Sequence, residues 1–230
     1  MHKGRRLIWV SIYAIAMAFL EAVVVVYIRG LLGVTGEHVS LGPYVRMEIG
    51  REVATIVMLV AVGWMAGRER LDRWAYGLFA FGLWDIWYYV WLKVLIGWPA
   101  TLLGWDMLFL IPLRWWGPVL SPMLIAALIC VTTVLAVLQM ERGERPEITP
   151  ARVGSLALGG LLALYVFMAD SLHALLQGRS DWATLRPGNF RWPLFIVALA
   201  LMALPSLMAT WPGRGPVSKA QPGSAKVERE

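Results

Sequence analysis

The chain has 230 residues, of which 59% are hydrophobic and only 16% are charged. A soluble globule of this length does not need so much apolar surface, so the composition favours an integral membrane protein. The formal charge of +6 does not indicate nucleic-acid binding, because the basic residues are scattered over short connectors without a Lys/Arg-rich face or an aromatic and basic reading motif.

The first apolar run, residues 7–28, follows a basic start that contains Lys3, Arg5 and Arg6. A basic start before an apolar run is typical of a signal peptide. This run, however, is about as long as the hydrocarbon core of a bilayer requires, whereas the apolar region of a signal peptide is shorter. We therefore expect an uncleaved first span.

Five further apolar runs follow, which predicts an all-α integral membrane protein built as a bundle of six transmembrane helices. The predicted spans are 7–28, 50–66, 74–98, 118–140, 153–176 and 192–210. They form one transmembrane domain over residues 1–211. The tail, residues 212–230, is rich in Gly, Pro, Ser and charge and is expected to be disordered and cytoplasmic.

A segment of different composition, residues 99–117, separates the third and fourth spans. It contains Trp105, Asp106, Pro112 and Trp115, and it is too polar and too interrupted by proline to cross a membrane. We expect it to lie in the membrane interface as a short amphipathic or re-entrant piece.

The distribution of basic residues predicts the orientation. The N-terminus, the second and fourth connectors and the tail together hold 13 of the 21 Lys and Arg residues, and with six spans all of these segments lie on one side. Cytoplasmic loops carry the excess of positive charge in membrane proteins. The sequence therefore predicts a multi-pass protein of the cell (inner) membrane with both termini in the cytoplasm.

Ionisable residues within the spans are candidates for function, because each costs roughly 2.5 to 3.5 kcal/mol on insertion scales. Counted by helical rise, they fall in the middle and outer half of the membrane, and the inner half contains almost none. We expect one polar pocket that opens outward beneath residues 99–117. The residues concerned are Glu21, Arg51, Glu52, Asp85, Lys93, Asp170 and His173.

The acidic members of this set and its histidine predict a metal site. Asp170 and His173 are three residues apart and share a helix face, so they can bind one ion, while Glu21, Glu52 and Asp85 add oxygen ligands from other helices. The ligand types fit a divalent ion, namely iron, manganese or zinc. Haem is disfavoured, because His173 is the single imidazole within the spans.

A second interpretation of the same charges is a structural network that only neutralises them. In that case Arg51 pairs with Glu21 or Glu52, and Lys93 pairs with Asp85 or Asp106. No metal is needed.

The stretch around Asp85 is rich in aromatic residues. Tyr88 and Tyr89 stand three and four residues after Asp85, so a phenol can donate to the carboxylate or relay its proton, and these three residues with Glu21 are the predicted catalytic groups. Trp84 and Trp87 are the predicted contacts for a flat hydrophobic ligand such as a quinone, a porphyrin or a lipid tail. Ordinary helix packing is the alternative for both tryptophans.

These features predict a membrane-embedded enzyme or redox protein that acts on a hydrophobic small molecule. The alternatives are a small cation- or proton-coupled transporter or channel, and an accessory subunit that packs into an oligomer or a larger membrane complex. Transporters often contain repeats and polar residues in both halves of the bilayer. Neither is visible in this sequence, which favours the enzyme.

Overall fold

A computed structural model describes residues 3–31, 44–178 and 188–210. Within these residues the protein is mostly helical, and each of its six helices is long and apolar enough to cross a membrane by length and composition. The helices are α1 (Lys3–Leu31), α2 (Val45–Ala66), α3 (Arg70–Ile96), α4 (Leu120–Glu141), α5 (Pro150–Leu176) and α6 (Trp192–Ala209).

The helices agree with the six predicted apolar runs, with one informative difference. Helix α2 begins at Val45, although the apolar run begins at residue 50. Its first turns carry charged side chains that find partners within the protein, so they need not be apolar to be helical. The predicted disordered tail, residues 212–230, lies outside the described residues.

Helix α3 is the centre of the bundle. Helices α1, α2 and α4 pack on it, whereas α5 and α6 pack mainly on each other. The larger core is formed by α1, α2, α3 and α4 and includes Tyr76 and Phe79 of α3. A smaller core around Phe167 and Phe195 joins α5 to α6.

Small residues allow the helices to approach closely. Ala14, Ala18 and Ala22 form a buried stripe along α1. A Cβ atom on Gly82 of α3 would lie 2.8 Å from the Ala126 carbonyl oxygen of α4, and one on Gly159 of α5 would lie 2.8 Å from the Ala198 carbonyl oxygen of α6. Contacts of this kind are common where helices associate in membranes, since small residues bring the backbones together.

The segment between α3 and α4 corrects the all-α prediction. Gly97, the residue after α3, adopts a left-handed backbone with φ of 72°. The chain then forms an antiparallel hairpin of β1 (Trp105–Phe109) and β2 (Trp115–Pro118). Aromatic residues favour strands, and each strand contains two of them. In the register, Trp105 pairs with Pro118 and Met107 pairs with Trp116.

Candidate functional site: a cavity beneath the hairpin

One end of the bundle, which we call the hairpin end, is where α1, α3 and α5 finish and the hairpin lies. Beneath the hairpin is a cavity of about 540 Å³, a size within the range of roughly 300 to 1,000 Å³ that small-molecule sites occupy. Every described element except α6 contributes to its wall. The ionisable and phenolic side chains that line it are Arg29, Glu48, Arg51, Glu52, Asp85, Tyr88, Tyr89 and Asp106.

Glu52 joins α2 to the hairpin. Its carboxylate oxygens both accept the backbone N–H of Leu110, at 3.1 and 3.2 Å, and both residues are buried. A charged hydrogen bond to a buried amide is stronger than a neutral one. This predicted site residue therefore lines the cavity and also fixes the hairpin over it.

Tyr89 and Asp106 form a second link between the bundle and the hairpin. The Tyr89 hydroxyl donates to Oδ2 of Asp106 at 3.1 Å. Asp85, four residues before Tyr89, lines the same cavity. Of the predicted catalytic residues, Asp85, Tyr88 and Tyr89 are therefore brought together, but the carboxylate that Tyr89 contacts is Asp106 on β1.

The hairpin is also attached to α5. The Ser171 hydroxyl donates to the Arg114 carbonyl oxygen at 2.7 Å, between the two strands. Burial lowers the pKa of the Arg114 guanidinium below its usual value. Three helices, α2, α3 and α5, thus hold the hairpin by specific polar contacts.

Arg51 is the centre of a charge network at the edge of the cavity. Its guanidinium forms ion pairs with Glu21 of α1 and with Glu48 one turn earlier on α2. The Thr55 hydroxyl also donates to Glu21. Glu21 does not itself line the cavity, so the structure places this predicted catalytic residue behind Arg51.

Aromatic pairs complete the cavity wall. Trp84 stacks on Tyr88 with ring centroids 6.3 Å apart, and Trp115 of the hairpin stacks on Phe167 of α5 at 6.2 Å. All four line the cavity. Trp87, the other predicted ligand contact, instead packs with Trp91 against the main core.

Asp170 and His173 lie apart from the cavity. Asp170 accepts from the backbone N–H of Gly188 at 2.8 Å and from the guanidinium of Arg191 at 3.2 Å, so it joins α5 to the segment before α6. His173 is exposed, with its Nε2 2.9 Å from the amide nitrogen of Gln177. Both side chains thus form hydrogen bonds within α5 or with the segment before α6. Neither lines the cavity, where the metal interpretation placed it.

The five predicted metal ligands are therefore not gathered. Among the residues that the structure describes, no group of three or more His, Cys, Asp or Glu side chains is arranged to hold a metal ion. Glu52 and Asp85 share the cavity, Glu21 is paired with Arg51, and Asp170 and His173 lie elsewhere. The structure therefore does not bring all five residues to one site, and metal binding itself stays a prediction.

The structural-network interpretation is right about Arg51 and wrong about Lys93. Arg51 does pair with Glu21, one of the two partners expected. Lys93 instead donates to the carbonyl oxygens of Gly97 and Pro99, at 3.1 and 2.8 Å. A cation at a helix C-terminus is stabilised by the free carbonyls there, which is a simpler partner than a distant carboxylate.

Three ionisable cavity residues were not predicted as site residues from the sequence. Glu48 and Arg29 lie beyond the apolar runs, and Asp106 lies in the segment treated as a cover. If the second predicted helix is extended by one turn at its N-terminal end, Glu48 lies on the same face as Glu52, because residues four apart share a helix face.

The opposite end of the bundle also holds buried polar groups, which the count of ionisable residues within the predicted spans did not include. Asp72 and Tyr76 of α3 are buried near Arg6 of α1 and Glu141 of α4. The Arg6 guanidinium donates to the Ala66 carbonyl oxygen at 2.9 Å. Arg6, Asp72 and Glu141 lie outside the predicted spans, but α1, α3 and α4 extend far enough to include them, whereas Tyr76 lies within the third predicted span.

The chain matches no known family model, no curated protein and no solved structure. What the cavity can do chemically follows from its residue types. Carboxyl and phenol groups accept and donate protons, a guanidinium binds anions, and apolar walls hold hydrocarbon.

Proposed function

We propose that this protein is a multi-pass protein of the cell membrane, with both termini in the cytoplasm and the hairpin at the external interface. Six helices of sufficient length and apolarity support the spanning arrangement. The excess of Lys and Arg in the connectors opposite the hairpin supports the orientation. Of the hairpin tryptophans, the half-buried Trp105 suits a segment at the level of the lipid headgroups, whereas Trp116 is buried within the protein.

Within the membrane, the protein is an enzyme that binds a hydrophobic small molecule in the cavity beneath the hairpin and exchanges a proton with it. The observation that carries this proposal is one cavity whose apolar and aromatic walls also present the carboxyls of Glu52, Asp85 and Asp106. Side chains that give or take a proton are effective when they are held at hydrogen-bonding distance of a bound substrate. Asp85 is the proposed proton-exchanging group, with Tyr88 beside it.

The proposed proton exchange needs no metal, and the described residues do not gather the ligands that the metal interpretation requires. Elemental analysis of the purified protein tests this part directly. A stoichiometric transition metal that is lost in the Asp85→Asn variant would restore a metal-dependent form of the reaction.

The test of the binding proposal compares the wild type with a variant whose cavity is filled. Ile56 lines the cavity, so Ile56→Trp should occupy its space, whereas Leu204→Trp on the exposed side of α6 adds the same side chain elsewhere. Organic extracts of the three purified proteins are compared by mass spectrometry. The expected result is a small molecule in the wild type and in Leu204→Trp that is absent from Ile56→Trp; equal extracts from all three would refute the proposal.

The proton-exchange proposal is tested with the molecule that this comparison identifies. It is incubated with the protein in deuterated buffer, and deuterium at carbon or conversion to a product is measured. Asp85→Asn should abolish the exchange even when the molecule is supplied at saturating concentration, and exchange at the wild-type rate in that variant would exclude Asp85 as the acid or base.

One observation favours the rival function, a proton- or cation-coupled transporter. Ionisable groups lie at both ends of the bundle, with Glu52 and Asp85 in the cavity and Arg6, Asp72 and Glu141 at the opposite end. Alternating access needs polar groups on both sides of a central site. Purified protein in liposomes with an internal pH dye decides between the two functions, since a transporter dissipates an imposed pH gradient and the proposed enzyme does not.

A further inference from the structure

The cavity occupies a cleft between two helices, α2 and α4, that do not pack on each other. Helices α2 and α4 both pack on α3 and touch α1, but over their full lengths, which the structure describes, they make almost no contact with one another. Side chains of both helices line the cavity. The cleft between α2 and α4 therefore has α3 as its floor and the hairpin as the cover at one end.

The cleft is open on the side that would face lipid. Val53, Ile56 and Val57 of α2 line the cavity and are 49%, 36% and 60% exposed. Apolar side chains that line a cavity and are also exposed mark an edge through which a hydrocarbon chain can pass. A ligand dissolved in the bilayer can thus enter sideways, without crossing the hairpin.

On α2 and α3, the charged lining residues lie nearer the hairpin end of the bundle than the apolar ones. Glu52 and Asp85 lie near the cover, at the beginning of α2 and toward the end of α3. Farther along the two helices from the hairpin end, Val57 of α2 and Phe81 of α3 supply hydrocarbon and aromatic surface. A lining of this kind matches an amphiphile with its head beneath the hairpin and its chain between α2 and α4.

The charges near the cover favour a positively charged head. Four carboxyl groups line the cavity against two guanidinium groups, and one of the latter, Arg51, is already paired with Glu48 and with Glu21 behind it. Glu52 accepts the Leu110 amide and Asp106 accepts the Tyr89 hydroxyl. No hydrogen bond or ion pair within the described residues ends on Asp85.

The aromatic side chains near Asp85 also favour a positively charged head group. Trp84 and Tyr88 flank it on α3, and their rings are stacked within the cavity wall. Aromatic rings attract organic cations, more strongly when water is excluded. An ammonium group beside Asp85 would have both a carboxylate and aromatic surface within reach.

On these grounds we propose that the cleft binds a single-chain amphiphile with an ammonium head, the ammonium lying beside Asp85 and the hydrocarbon chain lying between α2 and α4. This inference rests on the proposed function, because it names the class of molecule that the cavity holds.

The test uses dodecylamine, dodecanol and dodecanoate, three probes with one chain and different heads. Each is titrated into the purified protein in nanodiscs of zwitterionic lipid at neutral pH, and bound probe is counted by native mass spectrometry. Dodecylamine should bind about tenfold more tightly than dodecanol, and dodecanoate more weakly than both, because a desolvated charge pair contributes at least that factor.

Two variants test whether the ammonium head of the amphiphile lies beside Asp85. Asp85→Asn should remove the preference for the amine and leave the affinity for dodecanol unchanged. Glu69→Gln, which changes an exposed carboxylate that pairs with Arg145 away from the cavity, should alter neither. Acidification should also weaken binding of the amine and not of the alcohol, as the carboxylate becomes protonated.

Two different failures are distinguishable. If all three probes bind the wild type equally, or if dodecanoate binds best, the ammonium head is excluded while the cavity remains a site for hydrophobic molecules. If no probe binds the wild type, or if Ile56→Trp binds them all as well as the wild type does, both the inference and the proposed function are overturned. The comparison of heads on the wild type needs no variant, so it holds even if Asp85→Asn does not fold.

Discussion

The Glu52 carboxylate accepts the backbone N–H of Leu110 with both oxygens, at 3.1 and 3.2 Å, and so ties α2 to a hairpin 58 residues farther along the chain. Both partners are buried, and the contact lies at the roof of the cavity. The position of the hairpin, and with it the enclosure of the cavity, depends on this side chain together with Tyr89 and Ser171.

Glu52→Leu should loosen the hairpin. The change leaves the Leu110 amide buried without an acceptor, which costs about 1 to 3 kcal/mol. Hydrogen exchange of the protein in detergent should show faster exchange across residues 105–118, while exchange in α4 is unchanged. Glu52→Gln retains one acceptor oxygen and should give an intermediate result; wild-type protection in Glu52→Leu would show that the bond does not hold the hairpin.

Tyr89→Phe should lower the free energy of unfolding by about 1 to 3 kcal/mol, because it removes a hydrogen bond to a buried carboxyl. Tyr88→Phe is the matched control. Tyr88 also lines the cavity, and it stacks on Trp84, a contact that phenylalanine keeps. Unfolding of both variants in mild detergent measures the difference. Equal losses in the two variants would contradict the role assigned to the Tyr89 hydroxyl.

Arg51→Met should be strongly destabilising, by about 3 to 5 kcal/mol, since it leaves the buried Glu21 without its charged partner. Glu21→Gln in the same chain should restore much of the loss, because both charges are then gone. The free energies of unfolding of the wild type, the two single variants and the double variant form a cycle. Additive losses would mean that the two groups do not interact.

Gly63→Ala should separate α2 from α3. The added Cβ would lie 2.6 Å from the Arg73 carbonyl oxygen and 2.7 Å from the Gly77 backbone, and backbone atoms cannot move aside cheaply. Overpacking of this kind costs about 1 to 3 kcal/mol. Gly77→Ala is the control across the same interface, since its Cβ would meet the Leu59 carbonyl oxygen at 3.6 Å, an ordinary contact. The temperature of thermal unfolding should fall in Gly63→Ala and should not change in Gly77→Ala.

The proposed topology places Leu113, between the two strands of the hairpin, on the external side and Ala220 in the cytoplasm. In a Cys130→Ser background, which removes the natural cysteine, a cysteine is introduced at each position in turn. A membrane-impermeant maleimide applied to intact cells should label Leu113→Cys and not Ala220→Cys. The reverse pattern would invert the orientation, and labelling of both would be incompatible with six spans.

The positions of the helices could be predicted from the sequence because each span is an almost unbroken apolar run. The length of a run and the bilayer thickness set a helix independently of its neighbours. The start of α2 was less predictable, since Glu48 and Arg51 are helical only where partners from the protein surround them. The hairpin was missed, because the composition of residues 99–117 indicates that they do not cross, without indicating a fold.

For the site, the sequence by itself determined that Asp85, Tyr88 and Tyr89 share one stretch of helix, because their spacing of three and four residues places them together in any α-helix. Only the tertiary structure decided which distant groups join them. Glu52 and Asp106 come to the cavity, whereas Asp170 turns to Arg191 and His173 is exposed. Depth along a helix follows from counting residues, but the direction in which a side chain points within the bundle depends on how helices rotate and pack, which small residues such as Gly63 and Gly82 set through long-range contacts.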